Sequence, residues 1–266
     1  TEIPDDKARW GSFHILNEQA EQHVRAIIEE SVEADPADPA RKIGDLYTSF
    51  MDTERIEERG AEPVRDQLAR IAGALEREGV GGFAGTYIEP DPGNPERYVP
   101  FFLQGGISLP DESYYRLPEF EELRQAYRAH IEKLLTLVGV QDAAAKADRI
   151  FALETELASH HWDNVRSRDA VATYNLRTWA ELQTLVGIDL DPWREAVAPG
   201  HASAFDEVVL SQPSYFEGLG ALLTPERLED WKAWLEFKIA HSSAAFLTEE
   251  IVAENFAFYG TQISGV

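Results

Sequence analysis

Apolar residues recur at helical spacing along most of this chain and give way to strand-like runs only once. Phe13, Leu16, Ala20, Val24, Ile27 and Ile28 lie three or four residues apart, which predicts a helix from Ser12 to about Glu33. The Asp35-Pro36-Ala37-Asp38-Pro39 break ends it. Asp38 is a good N-cap and Pro39 a good first helical residue for a second helix, with Ile43, Leu46, Tyr47 and Phe50 on one face. A third is expected after Pro63, with Val64, Leu68, Ile71 and Leu75 inward and Gly79 as its stop. The period then changes. Phe83 to Glu89 and Arg97 to Leu103 are rich in aromatic and β-branched residues and flank the dense turn signal Pro90-Asp91-Pro92-Gly93-Asn94-Pro95, which predicts a β-hairpin.

Helices resume at about Pro118. Phe120, Leu123, Tyr127, Ile131, Leu134 and Val138 form one stripe that stops at Gly139, and Ile150, Leu153 and Leu157 form another between Asp142 and about His160. Thr178 and Glu181 have capping-box spacing ahead of a short helix. Asp191-Pro192 and Thr224-Pro225 are cap-plus-proline starts, the second leading a helix with Leu228, Trp231, Leu235 and Ile239. Thr248 caps a last helix through Phe258. The predicted fold class is mainly α, a multi-helix domain with one small β-hairpin.

Composition narrows the choice of function. A hydrophobic content of 44% with six tryptophans belongs to a globular chain, and 266 residues suffice for a full core. No apolar run approaches the roughly 18 residues of a membrane span. The start, Thr1-Glu2-Ile3-Pro4-Asp5-Asp6, is acidic and lacks signal-peptide character. It reads as part of a longer chain, so the compartment stays open: soluble, and either cytoplasmic or exported. Lys and Arg total 24 against 48 Asp and Glu, a net charge of -24, which repels phosphate backbones and excludes nucleic acid as the expected partner. The absence of cysteine excludes disulfides, thiolate chemistry and cysteine-ligated zinc.

The search for chemistry returns little. None of the seven histidines begins an HExxH. His160-His161-Trp162-Asp163 is the one cluster with ligand types together. Adjacent histidines on a helix point about 100° apart, so a helix C-terminus, where the dipole favours imidazolium, is the expected setting. Ser108 and Ser113 lack a nucleophile elbow. Gly79-Val80-Gly81-Gly82 follows a helix, whereas a phosphate loop precedes one, and is read as a connector. Arg166-Ser167-Arg168-Asp169 with Thr173-Tyr174-Asn175 admits an anion clamp, but a polar bend satisfying backbone groups is the expected reading.

The informative stretch is Gln104-Gly105-Gly106-Ile107-Ser108-Leu109-Pro110-Asp111-Glu112-Ser113-Tyr114-Tyr115-Arg116, a loop shaped by two glycines and a proline. It joins a set of segments in fixed order. Ile3-Pro4 and Arg9-Trp10-Gly11-Ser12-Phe13 precede it. Arg168-Asp169, Thr173-Tyr174-Asn175, Gln212-Pro213-Ser214-Tyr215-Phe216 and Asn255-Phe256-Ala257-Phe258-Tyr259-Gly260 follow. In that order they resemble the neprilysin-like zinc metallopeptidases, the family of neprilysin, endothelin-converting enzyme and bacterial endopeptidase O, over the N-terminal helical half only.

The resemblance implies that residues 1–35 are an N-terminal arm and first helix at a substrate cleft, and residues 36–266 a helical lid domain with the catalytic domain absent. The chain is then the non-catalytic part of a zinc metalloendopeptidase, enclosing the active-site cavity and helping to bind peptide substrates. Its partners are its own C-terminal catalytic domain and those peptides. The cofactor is zinc in that catalytic half, with no cofactor, metal ligand or catalytic residue in this chain, which is expected to be inactive alone. Two substrate-binding residues carry over. Arg9 matches the arginine that meets the free carboxylate of a bound peptide, a role that suits a guanidinium. Phe13 matches a phenylalanine walling the pocket for the side chain after the scissile bond. His14 and Asn17 depart from the family pattern of an acidic and a basic residue. The alternative is a stand-alone helical binding module without catalysis.

Overall fold

The computed structural model describes residues 11–43, 45 and 68–265. Two compact units divide the chain, one of residues 1–65 with 264–266, the other of residues 66–263.

In the first unit, helix α1 runs Ser12–Val32, within a residue of expectation at its C-terminal end. Its interior lacks glycine and proline, and Arg25 pairs with Glu29 one turn on at 2.8 Å. The expected apolar stripe is exposed: Phe13, Leu16, Val24 and Ile27 all show more than half of their surface. Of the second predicted helix, residues 41–43 and 45 are helical, while Leu46, Tyr47 and Phe50 lie outside the described residues, as does Val64 of the third.

The second unit is helical around one small sheet. Helix α2, Leu68–Arg77, leads through the glycine connector into β1, Ala84–Asp91, and β2, Asn94–Gln104. These pair as the expected antiparallel hairpin, with Tyr87 opposite Phe101. Its tip is fastened by Asp91, whose carboxylate accepts from Gly93 N at 2.8 Å, Tyr174 Oη at 2.6 Å and Arg97 Nε at 2.9 Å. The sheet is wider than the hairpin. β4, Glu207–Leu210, runs parallel to β2, and β3, Leu176–Thr178, runs antiparallel to β4, giving the order β1-β2-β4-β3. Strands of three and four residues carry too little periodicity to read from sequence.

Apart from the single-turn helix Ser113–Arg116 and short 3-10 turns, the remaining helices are α3 Glu121–Leu137, α4 Ala143–Ser159, α5 Trp179–Val186, α6 Asp191–Val197, α7 Pro213–Leu222, α8 Leu228–Ser243 and α9 Glu249–Asn255, with a π-helical segment at Phe256–Ile263. The capping box before α5 forms in full: Thr178 Oγ1 accepts from Glu181 N at 3.3 Å and Glu181 Oε2 from Thr178 N at 2.8 Å. Two expectations shift. Asp191 is the first residue of α6 rather than its cap, and its carboxylate instead holds Trp179 Nε1 at 2.8 Å. The last helix converts to π geometry at Phe256 instead of continuing regularly to Phe258. The main core gathers Tyr127, Ile131, Leu153, Trp231, Trp234 and Phe237 from α3, α4 and α8, and Phe102, Trp179, Trp193 and Phe216 around the sheet.

Candidate functional site

The Gln104–Pro110 loop leaves the end of β2 and is held by side chains from four helices. Its two glycines have different reasons. A Cβ on Gly105 would stand 3.0 Å from Gly85 N, whereas Gly106 sits at φ +81 with Leu157 Cδ1 3.0 Å from where its Cβ would be. Gln104 anchors the entry by exchanging two bonds with the Trp162 backbone, 2.9 and 2.7 Å, while its own N–H donates to Gln212 Oε1 at 2.9 Å.

The loop carbonyls are then taken one by one. Gly105 O accepts from Tyr215 Oη at 3.0 Å and from His161 Nε2 at 2.8 Å; since a carbonyl only accepts, that ring nitrogen carries its proton. Gly106 O accepts from Trp234 Nε1 at 2.9 Å. Lys238 Nζ reaches Ile107 O at 3.4 Å and Ser108 Oγ at 2.8 Å.

Behind the loop lies Glu154, fully buried on α4. One oxygen accepts from Ser108 Oγ at 2.8 Å. The other accepts from Tyr115 Oη and Tyr127 Oη, each at 2.7 Å, and from Ser108 N at 3.3 Å. Tyr115 Oη in turn accepts from Ser108 N at 3.2 Å and Leu109 N at 3.1 Å. Burial first, and the Glu154 charge second, hold the Tyr115 and Tyr127 phenols well above their ordinary range. Burial lowers Lys238, against the pull of Glu154. It also lowers His161, against the bond to Gly105 O.

Ser108 and Lys238 are the atoms of a serine–lysine catalytic pair, but the bonding directions oppose that use. Lys238 donates to Ser108 Oγ and so is not its base, and the carboxylate that accepts the Ser108 proton, Glu154, is buried and already holds the Tyr115 and Tyr127 hydroxyls. The N–H groups that could stabilise an oxyanion, those of Ser108 and Leu109, are bonded to Tyr115 and Glu154. The cluster is a satisfied polar network that sets the loop's shape.

Glu154 and Lys238 were not singled out by the sequence reading. The available signal was a charged residue inside an apolar face. Glu154 follows Leu153 in the stripe of α4, and Lys238 lies four residues after Trp234 on α8, while Ile239, expected inward, is 42% exposed.

The other sequence candidates separate. His160 is the C-cap of α4, as the helix-end reading expects, and its ring lies on the α7 backbone at Gly218, where a Cβ would be 2.2 Å from it. His161 turns to Gly105, and Asp163 Oδ1 accepts from Val165 N and Arg166 N at 2.8 Å each. Those three therefore do not converge. Among the described residues, no group of three or more His, Cys, Asp or Glu could hold a metal ion. In the Arg166–Asn175 bend, Asp169 Oδ1 accepts from Val171 N and Ala172 N, and Asn175 Nδ2 donates to Ala172 O and Leu210 O. Arg166 lies 3.6 Å over the Trp162 ring. This is the polar bend, with no anion clamp assembled. Arg9 lies outside the described residues, and Phe13, near the start of α1, is 88% exposed. No described helix is long and apolar enough to cross a membrane.

A family model described as Peptidase family M13, covering its N-terminal part, matches residues 1–266. Endothelin-converting enzyme-like 1 of Mus musculus is 27% identical over 264 residues, spanning 87% of this chain and 34% of the relative. Neprilysin-2 of Drosophila melanogaster is 29% identical over 297 residues, spanning 99% of this chain and 38% of the relative. The solved structure of Mycobacterium tuberculosis zinc metalloprotease ZMP1 in complex with inhibitor shares 40% identity at a TM-score of 0.78, over 98% of this chain and 42% of that one. The chain thus spans well under half the length of the proteins it resembles.

Proposed function

The chain belongs to peptidase family M13, and we propose that it is the non-catalytic, substrate-enclosing part of a zinc metalloendopeptidase. The observation that carries this reading is the match across residues 1–266, together with 40% identity to 42% of a zinc metalloprotease. Residues 1–35 serve as the arm at the cleft and residues 36–266 as the helical lid. The partner is the catalytic part of the same protein, and the substrates are peptides.

The described side chains do not fit zinc. His160, His161 and Asp163 are each bonded or packed elsewhere, and no other described group of three ligand-type residues lies together. Zinc and the general base belong instead to the remaining part of the protein. What this chain supplies is shape and binding. The pinned Gln104–Pro110 loop gives the lid a rigid joint between sheet and helices. Arg9 binds the free C-terminal carboxylate of a peptide with a fork of two charge-assisted bonds, and Phe13 walls the adjoining side-chain pocket.

The test is kinetic, on the full-length protein. Arg9→Met is expected to raise KM for a peptide with a free C-terminal carboxylate by about 10- to 100-fold, the worth of a charge-assisted pair. The same peptide amidated at its C-terminus should be cleaved equally by both enzymes. An equal effect on both peptides would remove Arg9 from the role. The 266 residues alone should cleave neither peptide with zinc present; turnover by them would overturn the proposal.

A further inference from the structure

We propose that His130 and His241 form an acid-triggered latch that releases α9 and the π-helical segment from α3 as the pH falls below neutral. The inference concerns residues 121–263 alone and stands independently of the peptidase reading.

The geometry is specific. The His130 ring, buried on α3, stacks face to face on Phe258 at 4.7 Å and meets Tyr259 edge-on at 5.4 Å. Its Nδ1 lies 3.0 Å from Glu254 Oε1 on α9, so Nδ1 carries the proton in the neutral ring. The other Glu254 oxygen is taken by Lys133 at 2.7 Å. Nε2 is buried with no hydrogen-bond partner. His241, near the end of α8, stacks on Phe237 at 5.7 Å and lies 4.9 Å from the Tyr259 ring, with Nδ1 also buried and unbonded. Tyr259 thus stands between two imidazoles, and it belongs to the π-helical segment, a geometry that often marks functional positions.

The neutral rings fit this setting, because a bare ring nitrogen among aromatic carbons costs less than an N–H with nothing to accept it. A proton on either ring creates that N–H and a buried charge. Lys238 on α8 and His130 both oppose a positive charge on His241, and Lys133 on α3 opposes one at His130. Glu254 on α9 favours a charged His130, but burial outweighs it and His130 is lowered. His241 is pushed down to about 4, by burial first and then by Lys238 and His130. Glu154 on α4 acts on Tyr259 and Lys238. Two imidazoles without a third ligand-type residue do not make a metal site.

The elements that would move are those the rings hold. Phe258 and Tyr259 attach the π-helical segment to α3 through His130, and Glu254 attaches α9 to the same residue. Charging the rings buries positive charge and an N–H without an acceptor beside Phe258 and Tyr259, which weakens those ring contacts; the His130–Glu254 pair opposes this, and burial outweighs it.

Peptide-resolved hydrogen exchange of the full chain, corrected for intrinsic rates, tests this. Between pH 7.5 and pH 5, opening of residues 249–263 should rise roughly 30-fold, the linkage of one histidine held near 4 against about 6.5 when released. Residues 143–159 should change much less. The double substitution His130→Phe with His241→Phe keeps the ring packing and should abolish the pH term. Equal protection at both pH values, or a pH term that survives the double substitution, would overturn the latch. If that variant does not fold, ring-proton titration of the unaltered protein decides. A His241 midpoint below about 5 supports the latch, and one at or above about 5 overturns it.

Discussion

The Tyr127 hydroxyl donates to Glu154 at 2.7 Å across the contact of α3 with α4, with both residues entirely out of water. That bond and its neighbours turn a glycine loop into a fixed joint, and they determine which substitutions should be felt.

Glu154→Ala leaves Tyr115, Tyr127 and Ser108 without their shared acceptor and leaves Lys238 without a nearby carboxylate. Its expected cost is about 3–5 kcal/mol, the range for breaking a buried charged network from one side. Tyr127→Phe removes one donor only and should cost about 1–2 kcal/mol. Urea unfolding of the two variants checks the order. Equal small losses would mean that the network contributes little to stability.

The loop backbone can be tested with two alanine substitutions at nearly the same φ. Gly106 and Gly139 sit at +81 and +80, but only Gly106 has a side chain, Leu157, 3.0 Å from the added Cβ. Gly139→Ala should cost about 1 kcal/mol, the left-handed penalty alone. Gly106→Ala should cost more, about 2–4 kcal/mol with the packing term added. Thermal unfolding separates them, and equal shifts in Tm would remove the packing argument.

Acid should weaken the whole chain through His241. Its folded value, about 4, lies below the ordinary histidine value, so the unfolded chain binds the proton more readily. The stabilising difference is therefore complete above pH 6.5 and is lost as pH falls toward 4. Between pH 7.5 and pH 5 the loss should be about 2 kcal/mol for this one group. Urea midpoints for the unaltered chain and for His241→Phe, taken at both pH values, measure it. Identical pH slopes for the two proteins would contradict the assignment.

The Thr178 cap offers a smaller, local check. Thr178→Ala should lower stability by about 1 kcal/mol and Thr178→Ser by a few tenths, because serine keeps the acceptor for Glu181 N. Hydrogen exchange at the start of α5 should report the same order. An unchanged alanine variant would show that packing of Trp179 alone holds that end.

What the sequence determined by itself is what depends on neighbours along the chain. Helical stripes such as Tyr127, Ile131 and Leu134, the Pro90–Pro95 turn and the Thr178–Glu181 box each state a local preference, and each formed as read. Family membership was legible for a related reason: several short segments occur in the expected order, though each alone is weak. The tertiary structure decided what depends on residues far apart in the chain. Glu154 lies 46 positions from Ser108, and Lys238 lies 130 from it, so no local spacing announces their meeting. β3 and β4 are too short to show a period; β4 exists because β2 offers it an edge, and β3 because β4 does. The same holds for His160 and His161. Adjacent in sequence, they are sent to α7 and to the glycine loop by packing, which turned a cluster of ligand types into two separate structural contacts.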